Sequence, residues 1–475
     1  MSTKQNVEKC EIGIVGLGVM GCNLLLNMAD HGFTVAGYDK DNSKVKSLQQ
    51  QATSAAIQAF PDIKDFIAAL KPPRAIMMLV PAGAPVDAVI QDVLPYLDKG
   101  DLIIDAGNSY FRDTDRRAKE LTAKGIQFLG IGISGGEKGA RLGPSIMPGG
   151  PKAAYERVRP ILEAVSAKVN NDPCVTYLGP GSAGHFVKMV HNGIEYGIMQ
   201  LIAESYDLLK RSLKLDNETL AKLYGEWNQG DLNGYLIEIT SHIFAFKDDK
   251  SKHSLVDEIV AVAAQNGTGM WTSQSAMELQ VPTPTIDLAV TMRDLSALIS
   301  QREQANKLYQ PNIADFTGDQ KAFITKIQQA LFASIGIAYA QGFALLLVAA
   351  KHYDYQLDLE AVARIWRGGC IIRSALLEDI REAFKANADL PNLLLDAKFS
   401  KKIIANLAGF RETVSQATKL GIPVPDLSVS LSYLEALASA WSPANLIQAQ
   451  RDYFGSHTYQ RIDEKGTFHT QWEKY

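Results

Sequence analysis

Residues 11–32 read EIGIVGLGVMGCNLLLNMADHG, and this stretch decides the fold of the first third of the chain. A short apolar run, Glu11–Val15, leads into a glycine-rich turn, and a helix-like segment, Gly21–His31, follows. The turn consists of Gly16, Leu17, Gly18, Val19, Met20 and Gly21. Its GxGxxG spacing lets a dinucleotide pyrophosphate approach the backbone where the helix N-terminus offers unpaired N–H groups. Because the turn lies between a strand and a helix, it predicts a dinucleotide-binding site rather than a chance glycine-rich loop.

The residues after this turn continue to alternate short apolar runs with amphipathic segments. Further strands are predicted at Thr34–Tyr38, Ala75–Val80, Leu102–Ile104 and Gln127–Gly130, and a helix is predicted at Val86–Tyr96. Strands that alternate with helices typically form a parallel sheet covered on both faces. Together with the glycine-rich turn, this alternation predicts an α/β Rossmann N-terminal domain.

The rest of the chain is predicted to be helical. At 475 residues the chain is longer than one hydrophobic core usually serves, so more than one domain is expected. Residues 185–210 and 321–351 carry apolar residues at three- and four-residue spacing, and the second segment is apolar enough to be a buried helix. We predict the Rossmann domain at residues 1–178, a large all-α domain at residues 179–440 and a C-terminal docking tail at residues 441–475.

Composition and charge exclude several classes of protein. A formal net charge of −4 gives no basic surface for nucleic acid. The apolar run Ala344–Ala350 is far too short to span a bilayer, and the first residues lack a secretory signal. The four cysteines, which are Cys10, Cys22, Cys174 and Cys370, have no CxxC spacing and predict unbridged thiols. We therefore expect a cytoplasmic protein that binds no nucleic acid, membrane or metal.

An acidic turn follows the second predicted strand. Asp39 stands 23 positions after Gly16, where an acidic side chain would bind the ribose hydroxyls of NAD. Asp41 adds a second carboxylate, and only Lys40 offsets the two charges, so the 2′-phosphate of NADP would be repelled. The charges favour NAD over NADP, although the three residues could also be ordinary solvated turn residues.

A second candidate site lies at the start of the helical region. Lys188, His191, Asn192 and Glu195 have i, i+3, i+4 and i+7 spacing, which places them on one face of a helix. A desolvated lysine can accept a proton near neutral pH, and a carboxyl of raised pKa can supply one. The alternative is a solvated Lys–Glu face, which is the usual meaning of mixed charge on a helix.

Six stretches carry a resemblance to a known family. They are GLGVMG at Gly16–Gly21, DAGN at Asp105–Asn108, GISGGEKGARLGPSIMPGG at Gly132–Gly150, GHFVKMVHNGIEYG at Gly184–Gly197, GTGMWTSQSA at Gly267–Ala276 and ANLIQAQRDYFGSHTY at Ala444–Tyr459. The third, fourth and sixth are long and highly specific. On these stretches the chain resembles the 6-phosphogluconate dehydrogenases, which belong to the β-hydroxyacid dehydrogenase superfamily, over nearly its whole length.

The resemblance implies roles for individual residues in an oxidative decarboxylation of 6-phosphogluconate. Lys188 matches the general base, and Glu195 matches the acid that protonates the enediol after CO2 departs. The implied substrate contacts are Asn108, Ser134, Gly135, Gly136, His191, Asn192, Tyr196, Thr272, Arg293, Arg451 and His457. Beyond the glycine-rich turn, the implied cofactor contacts are Asp39, Lys40, Asp41, Val80, Pro81, Ala82 and Asn108. Arg451 and His457 match a pair that reaches the partner subunit's site, which implies a homodimer with shared active sites.

Three positions depart from the family's usual pattern. Asp39, Lys40 and Asp41 stand where the family usually has Asn-Arg-Ser/Thr, which again favours NAD and leaves NADP as the second cofactor. Met270 and Pro81 each stand where the family usually has lysine. The missing lysine at Met270 leaves open a different sugar acid as substrate, and a cofactor-binding regulator without activity is a further alternative.

Overall fold

The structure is a computed structural model that describes residues 9–52 and 56–472. Residues 1–8 of the predicted Rossmann domain and residues 473–475 of the predicted tail lie outside the described residues. The predicted fold class is confirmed: a parallel sheet with helices on both faces is followed by a large helical region. The exact domain boundaries remain predictions.

The N-terminal domain is built on one seven-stranded sheet. Its strands are β1 (Ile12–Val15), β2 (Val35–Tyr38), β3 (Ile57–Phe60), β4 (Ala75–Met78), β5 (Leu102–Asp105), β6 (Gln127–Ser134) and β7 (Ser145–Gly149). The spatial order is β3-β2-β1-β4-β5-β6-β7. Strands β1 to β6 are parallel, and β7 pairs antiparallel with β6. The chain order reverses beside β1, and such a switch point is where open α/β sheets bind ligands.

Helices cover both faces of this sheet. They are α1 (Val19–Asp30), α2 (Asn42–Gln51), α3 (Ile63–Ala69), α4 (Ala84–Val93), α5 (Phe111–Thr122), α6 (Gly136–Leu142) and α7 (Lys152–Val165). On one face Ile14 packs in a cluster with Leu25 of α1 and Leu162 of α7. On the other face Ile76 packs in a cluster with Phe66 of α3. Because successive strand residues point to opposite faces and both faces are covered, the central strands β1 and β4 are apolar throughout.

Two strands of the sheet were missed by sequence reasoning, and one was predicted too short. Strand β3 is an edge strand and only half-buried, so it lacks the continuous apolar run of a central strand. Strand β7 contains Pro148, which argues against a strand, but this strand forms the other edge of the sheet, where proline is tolerated. Strand β6 continues past Gly130 to Ser134 although its glycines resemble a turn.

The connection between the two regions is a small hairpin of β8 (Lys168–Val169) and β9 (Asp172–Pro173). The helical region begins with α8 (Ala183–Ser212), α9 (Asn217–Trp227), α10 (Tyr235–Ala245), α11 (Thr268–Glu278), α12 (Pro284–Ala297), α13 (Ile299–Tyr309) and α14 (Gln320–His352). It continues with α15 (Leu359–Ile365), α16 (Leu376–Ala386), α17 (Ala397–Leu420), α18 (Pro425–Ala438) and α19 (Ala444–Gly455). Three 3₁₀ turns complete the described elements: Leu94–Tyr96, Leu255–Glu258 and Leu393–Leu395.

The longest helix, α14, is the buried helix that the sequence predicts. It is long and apolar enough to cross a membrane by length and composition alone. However, 83% of its most apolar window is buried inside the protein, where its residues belong to the core of the helical region. Its apolar character is therefore explained by its position in that core.

Close packing of α8 against the sheet positions the candidate site. A Cβ atom built on Gly132 of β6 would lie 2.3 Å from the Cβ of Lys188. A Cβ atom built on Gly184 would lie 2.3 Å from the carbonyl oxygen of Met147 in β7. Any larger residue at these two positions would push the helix away from the sheet. The glycines thus bring Lys188 against the carboxyl-terminal half of β6.

The C-terminal tail forms a small unit of its own around Asp452. The buried Asp452 carboxylate accepts hydrogen bonds from the backbone of Thr458 and Thr470 and from the side chains of His469 and Trp472. Across residues 441–472, every described hydrogen bond joins two residues at or beyond position 439. Large apolar side chains of this segment are exposed, namely Trp441, Leu446, Ile447, Tyr453, Phe454 and Ile462. Such an apolar surface is typical of a segment that binds another chain.

Candidate active site

One face of α8 holds four neighbouring polar side chains, three of which are joined by hydrogen bonds. Lys188 Nζ donates to Asn192 Oδ1 at 2.5 Å, and His191 Nδ1 lies 3.0 Å from the same oxygen. His191 Nδ1 also lies 3.8 Å from a carboxylate oxygen of Glu195. The predicted constellation therefore comes together, and most of it is buried: Lys188 is 6% exposed and His191 is fully buried, while the Glu195 side chain is 23% exposed. Burial rules out the solvated Lys–Glu face.

Burial shifts the pKa values of the lysine and the carboxyl in opposite directions. Burial lowers the pKa of the Lys188 ammonium, while Glu195 and Cys370 act against this effect. Burial raises the pKa of the Glu195 carboxyl, and the nearby charges of Lys188 and Arg293 oppose it. Both shifts favour the neutral forms, an amine that can accept a proton and a carboxylic acid that can donate one.

His191 is held in a neutral form by its surroundings. Burial and the neighbouring Lys188 lower the pKa of the imidazole well below its ordinary value. Because Asn192 Oδ1 is an acceptor, we assign the ring proton to Nδ1, so that Nε2 accepts. The Nε2 atom lies 3.1 Å from the Ser134 hydroxyl and 2.8 Å from the Cys370 thiol.

Cys370 and Ile371 complete this side of the site, and sequence reasoning missed both. Burial raises the pKa of the Cys370 thiol to about 12, so it stays protonated at neutral pH and can donate to His191. The backbone N–H of Ile371 donates to the Ser134 hydroxyl at 3.2 Å. Nothing in the sequence connects these residues with α8, because the contact is made only through the tertiary fold.

The turn after β6 requires glycine. Gly135 and Gly136 follow Ser134 with φ values of 115° and 61°, which only glycine adopts readily. A Cβ atom on Gly135 would lie 2.7 Å from the Gly369 carbonyl oxygen, whereas one on Gly136 would meet open space. Asn108 lies exposed after the carboxyl end of β5. These predicted substrate residues therefore share the sheet edge that Lys188 faces.

Arg293 and Tyr196 form a second pair near the helix face. The Arg293 guanidinium lies over the Tyr196 ring, 3.5 Å from its centroid. Its partners within the chain are the Ala264 carbonyl oxygen at 3.2 Å and the Met199 sulfur at 3.5 Å. Since no carboxylate is among these described partners, the stacked cation is available to an anionic ligand.

Three other predicted substrate residues lie apart from this group. Thr272 is fully buried against Gly193, and its hydroxyl lies 2.9 Å from the carbonyl oxygens of Met189 and Thr268. This geometry gives Thr272 a packing role between α8 and α11, and its phosphate contact remains a prediction. Arg451 and His457 are exposed in the tail, where Arg451 contacts Gln448 at 3.0 Å. Their described contacts are made within the tail, so their part in a site also remains a prediction.

The glycine-rich turn has the geometry that a bound pyrophosphate needs. Gly16 has a φ of 99°, and a Cβ atom there would lie 2.5 Å from the Leu79 carbonyl oxygen. A Cβ atom on Gly21 would lie 1.8 Å from the Gly16 carbonyl oxygen, so glycine is required for the tight turn into α1. A Cβ atom on Gly18 would meet nothing within 4 Å, which leaves space above the helix N-terminus. The turn therefore fits a dinucleotide.

A cleft of about 410 Å³ opens beside this turn. Asp39 lies in it and accepts hydrogen bonds from the backbone of Leu17 at 2.8 Å and Asp41 at 2.9 Å. Val80 and Pro81 line the opposite side. Of the other predicted contacts, Val19 and Met20 begin α1, and Ala82 lies in the turn that follows β4. Six of the predicted cofactor residues therefore line the cleft, namely Gly16, Gly18, Asp39, Lys40, Val80 and Pro81.

The expected charge balance of this cleft needs one correction. The Asp41 carboxylate caps α2 by accepting from the Ser43 backbone at 2.9 Å and the Ser43 hydroxyl at 2.6 Å, and these bonds lower its pKa. The Asp41 carboxylate is therefore held in its charged form at the N-terminus of α2, and its contact with the cofactor remains a prediction. Lys44, which sequence reasoning missed, lies 3.4 Å from Asp39 Oδ2. Lys44 follows Asp39 by only five residues, and this short spacing was the signal that could have indicated the contact.

Within residues 9–52 and 56–472 there is no group of three or more His, Cys, Asp or Glu side chains that could hold a metal ion. Cys22, Cys174 and Cys370 are unbridged thiols.

Comparisons with known proteins agree across the whole chain. Residues 11–179 match the family model described as the NAD binding domain of 6-phosphogluconate dehydrogenase, and residues 184–472 match its C-terminal domain. A Bacillus subtilis protein, named as an NADP(+)-dependent decarboxylating 6-phosphogluconate dehydrogenase, is 49% identical, with 98% of this chain and 100% of that protein covered. The decarboxylating enzyme of Escherichia coli is 47% identical over 98% of this chain and all of that protein. The Plasmodium falciparum enzyme, solved with NADP+ and with 6-phosphogluconate, superposes with a TM-score of 0.94 at 44% identity, covering 98% of this chain and 100% of that one.

Proposed function

Because the chain belongs to the 6-phosphogluconate dehydrogenase family and is a decarboxylating, nicotinamide-dependent enzyme, we propose that NAD is its preferred cofactor and that Lys188 and Glu195 carry its proton transfers. The observation that carries the catalytic assignment is the buried pair on α8, whose pKa values are shifted in opposite directions. The pair faces the edge of the sheet where the dinucleotide cleft opens. A neutral amine and a neutral carboxylic acid are the forms that the reaction requires.

Lys188 acts first, as the base. Bound NAD supplies the hydride acceptor for this step. The neutral amine takes the proton of the 3-hydroxyl as hydride leaves C3, which produces a β-keto acid and a protonated Lys188. The ammonium then lies beside the new carbonyl oxygen and stabilises the negative charge that develops there when CO2 departs. A buried cation is effective in this role because little water screens it.

Glu195 completes the reaction. After CO2 has left, the enediol must gain a proton at the carbon that becomes C1 of ribulose 5-phosphate. The raised pKa of Glu195 keeps a proton available on its carboxyl group. His191 and Asn192 lie between the two groups on the helix face, where Asn192 accepts a hydrogen bond from Lys188, and they hold the substrate hydroxyls.

The variant Glu195→Gln is expected to separate the two halves of the reaction. Since Glu195 acts after hydride transfer, one turnover should still reduce the cofactor while formation of ribulose 5-phosphate slows by about 10²-fold or more. A single-turnover experiment that follows reduced cofactor and product in parallel measures this directly. Equal slowing of both signals would assign Glu195 an earlier or structural role.

The preference for NAD is supported by Asp39. Its carboxylate lies at the end of β2, where it can accept hydrogen bonds from both ribose hydroxyls of NAD. NADP would bring a phosphate of charge near −2 to the same place. Two unit charges ~4–5 Å apart repel by roughly 3–4 kcal/mol at an effective dielectric of 20, before screening by solvent reduces this. Even ~1.4 kcal/mol corresponds to a tenfold difference in affinity.

Replacing Asp39, Lys40 and Asp41 with Asn-Arg-Ser is therefore expected to shift the kcat/KM ratio toward NADP by about tenfold or more. The serine at position 41 can still cap α2, so the fold should be retained. Steady-state kinetics with both cofactors measure the ratio. The matched control is Asp41→Ser alone, which should leave the ratio nearly unchanged because that carboxylate faces Ser43. A wild-type kcat/KM higher for NADP than for NAD would contradict the proposal.

The two rival functions predict different activities. A dehydrogenase of another, unphosphorylated sugar acid would leave Arg293 without an anion to bind, although Met270 does remove one family cation. A silent cofactor-binding regulator would have no need of the buried Lys188–Glu195 pair. Activity with 6-phosphogluconate but not with gluconate supports the present proposal over both.

We also propose that the active unit is a homodimer in the cytoplasm. Arg451 and His457 would enter the partner's site, and the exposed apolar side chains of the tail support its docking on a second copy of the chain. The base and the acid lie outside the tail, whereas the tail would supply further contacts to the substrate phosphate.

A further inference from the structure

An ion pair spans the adenosine end of the cofactor cleft. Lys40, directly after β2, places its Nζ atom 2.7 Å from Oδ2 of Asp92 on α4. Both residues line the cleft, together with apolar side chains that suit a flat base, namely Ile63, Val80, Pro81, Pro85, Ala88 and Val89. The two partners belong to different elements, so the ion pair depends on the tertiary fold and not on local sequence.

We infer that Asp92 is a specificity-determining residue that discriminates against a 2′-phosphate by engaging Lys40 across the cleft. This inference rests on the proposed preference for NAD and names a second residue behind it. Lys40 follows Asp39, the residue at the ribose position, and is therefore the cation best placed to meet a 2′-phosphate. While Asp92 engages its ammonium group, that cation is drawn toward α4 and is less available to a phosphate at the ribose.

The remaining charges of the cleft do not replace Lys40. Among the residues that line it, the cations are Lys40 and Lys44, and the carboxylates are Asp39 and Asp92. Lys44 lies 3.4 Å from Asp39 Oδ2, so each lysine already faces a carboxylate. Pro81 occupies the side of the cleft that β4 provides and carries no charge. Removing Asp92 leaves the Lys40 ammonium group without its carboxylate partner and free to meet a phosphate.

The test uses ligands that bind the cleft but undergo no hydride chemistry. ADP-ribose and its 2′-phosphate derivative are titrated calorimetrically into the wild-type protein and into Asp92→Asn. Since both partners are solvent-exposed, a few-fold effect is expected rather than a large one. The 2′-phosphate ligand should bind about three- to tenfold more tightly to the variant, while ADP-ribose changes by less than about twofold.

Two further variants identify the cause of the change. In a Lys40→Met background, Asp92→Asn should alter binding of the 2′-phosphate ligand by less than about twofold, since the cation it releases is gone. Asp98→Asn removes an exposed carboxylate of the same domain that pairs with Arg74 and does not line the cleft. This control should leave both affinities at their wild-type values.

The result separates this inference from the preference for NAD. Equal effects of Asp92→Asn on both ligands, or a gain that persists without Lys40, would overturn the role of Asp92. Tighter wild-type binding of the 2′-phosphate ligand would instead contradict the proposed preference for NAD, while the double-mutant cycle would still measure the coupling between Lys40 and Asp92.

Discussion

The variant Lys188→Met is expected to lose at least ~10²–10⁴-fold in kcat while its fold and cofactor binding remain intact. Loss of a general base alone has this magnitude, and loss of the ammonium that stabilises the enolate should add to it. Methionine fills a similar volume and leaves no unpaired charge in the buried site. Steady-state kinetics measure the loss, and titration with ADP-ribose together with thermal unfolding checks binding and fold.

A matched control uses a lysine outside the site. Lys222 on α9 is exposed and pairs with Glu218 at 2.8 Å, so Lys222→Met removes the same chemical group at the surface. This variant should turn over at close to the wild-type rate. Turnover by Lys188→Met within a few-fold of the control would show that another group accepts the substrate proton.

Removal of residues 441–475 is expected to abolish activity and to weaken self-association. The tail exposes large apolar side chains, and its described hydrogen bonds stay within the tail. We therefore expect the tail to dock on the surface of a second chain. Sedimentation of the full-length and shortened chains measures the association. Folding of the shortened chain is checked by its cofactor binding, because the Rossmann domain lies far from the tail in sequence.

Mixed dimers test whether the sites are shared. Neither Arg451→Ala nor Lys188→Met should be active alone. After subunit exchange, each heterodimer would combine one intact Lys188 with one intact Arg451 in a single site. Random pairing then restores about a quarter of the wild-type sites. No recovery after verified exchange would mean that Arg451 serves its own chain.

Local sequence signals were sufficient to predict the elements that are buried inside the fold. The GxGxxG turn, the central strands and α8 could be predicted because burial imposes an apolar pattern on neighbouring residues. The edges of the sheet could not, since half-burial leaves β3 with a mixed pattern and an edge position tolerates Pro148 in β7. Glycines misled in β6, where Gly132 serves the approach of α8 and not a turn.

The candidate site was predictable where its residues share one element. Lys188, His191, Asn192 and Glu195 are neighbours on a helix face, so their spacing alone brought them together. Cys370 could not be predicted, because it reaches His191 only through the packing of distant segments. For Asp41 the sequence showed the charge of the side chain. It did not show that the carboxylate caps α2, because capping depends on the direction of the side chain. The pairing of Lys40 with Asp92 likewise required the fold.

The stoichiometry of the reaction tests the proposed function most directly. Purified protein is mixed with 6-phosphogluconate and NAD, and reduced cofactor and released CO2 are followed together, with gluconate as the unphosphorylated control. The proposed function predicts equal amounts of reduced cofactor and CO2, no turnover of gluconate, and a higher kcat/KM with NAD than with NADP. Reduced cofactor without CO2, or equal turnover of gluconate, would contradict it.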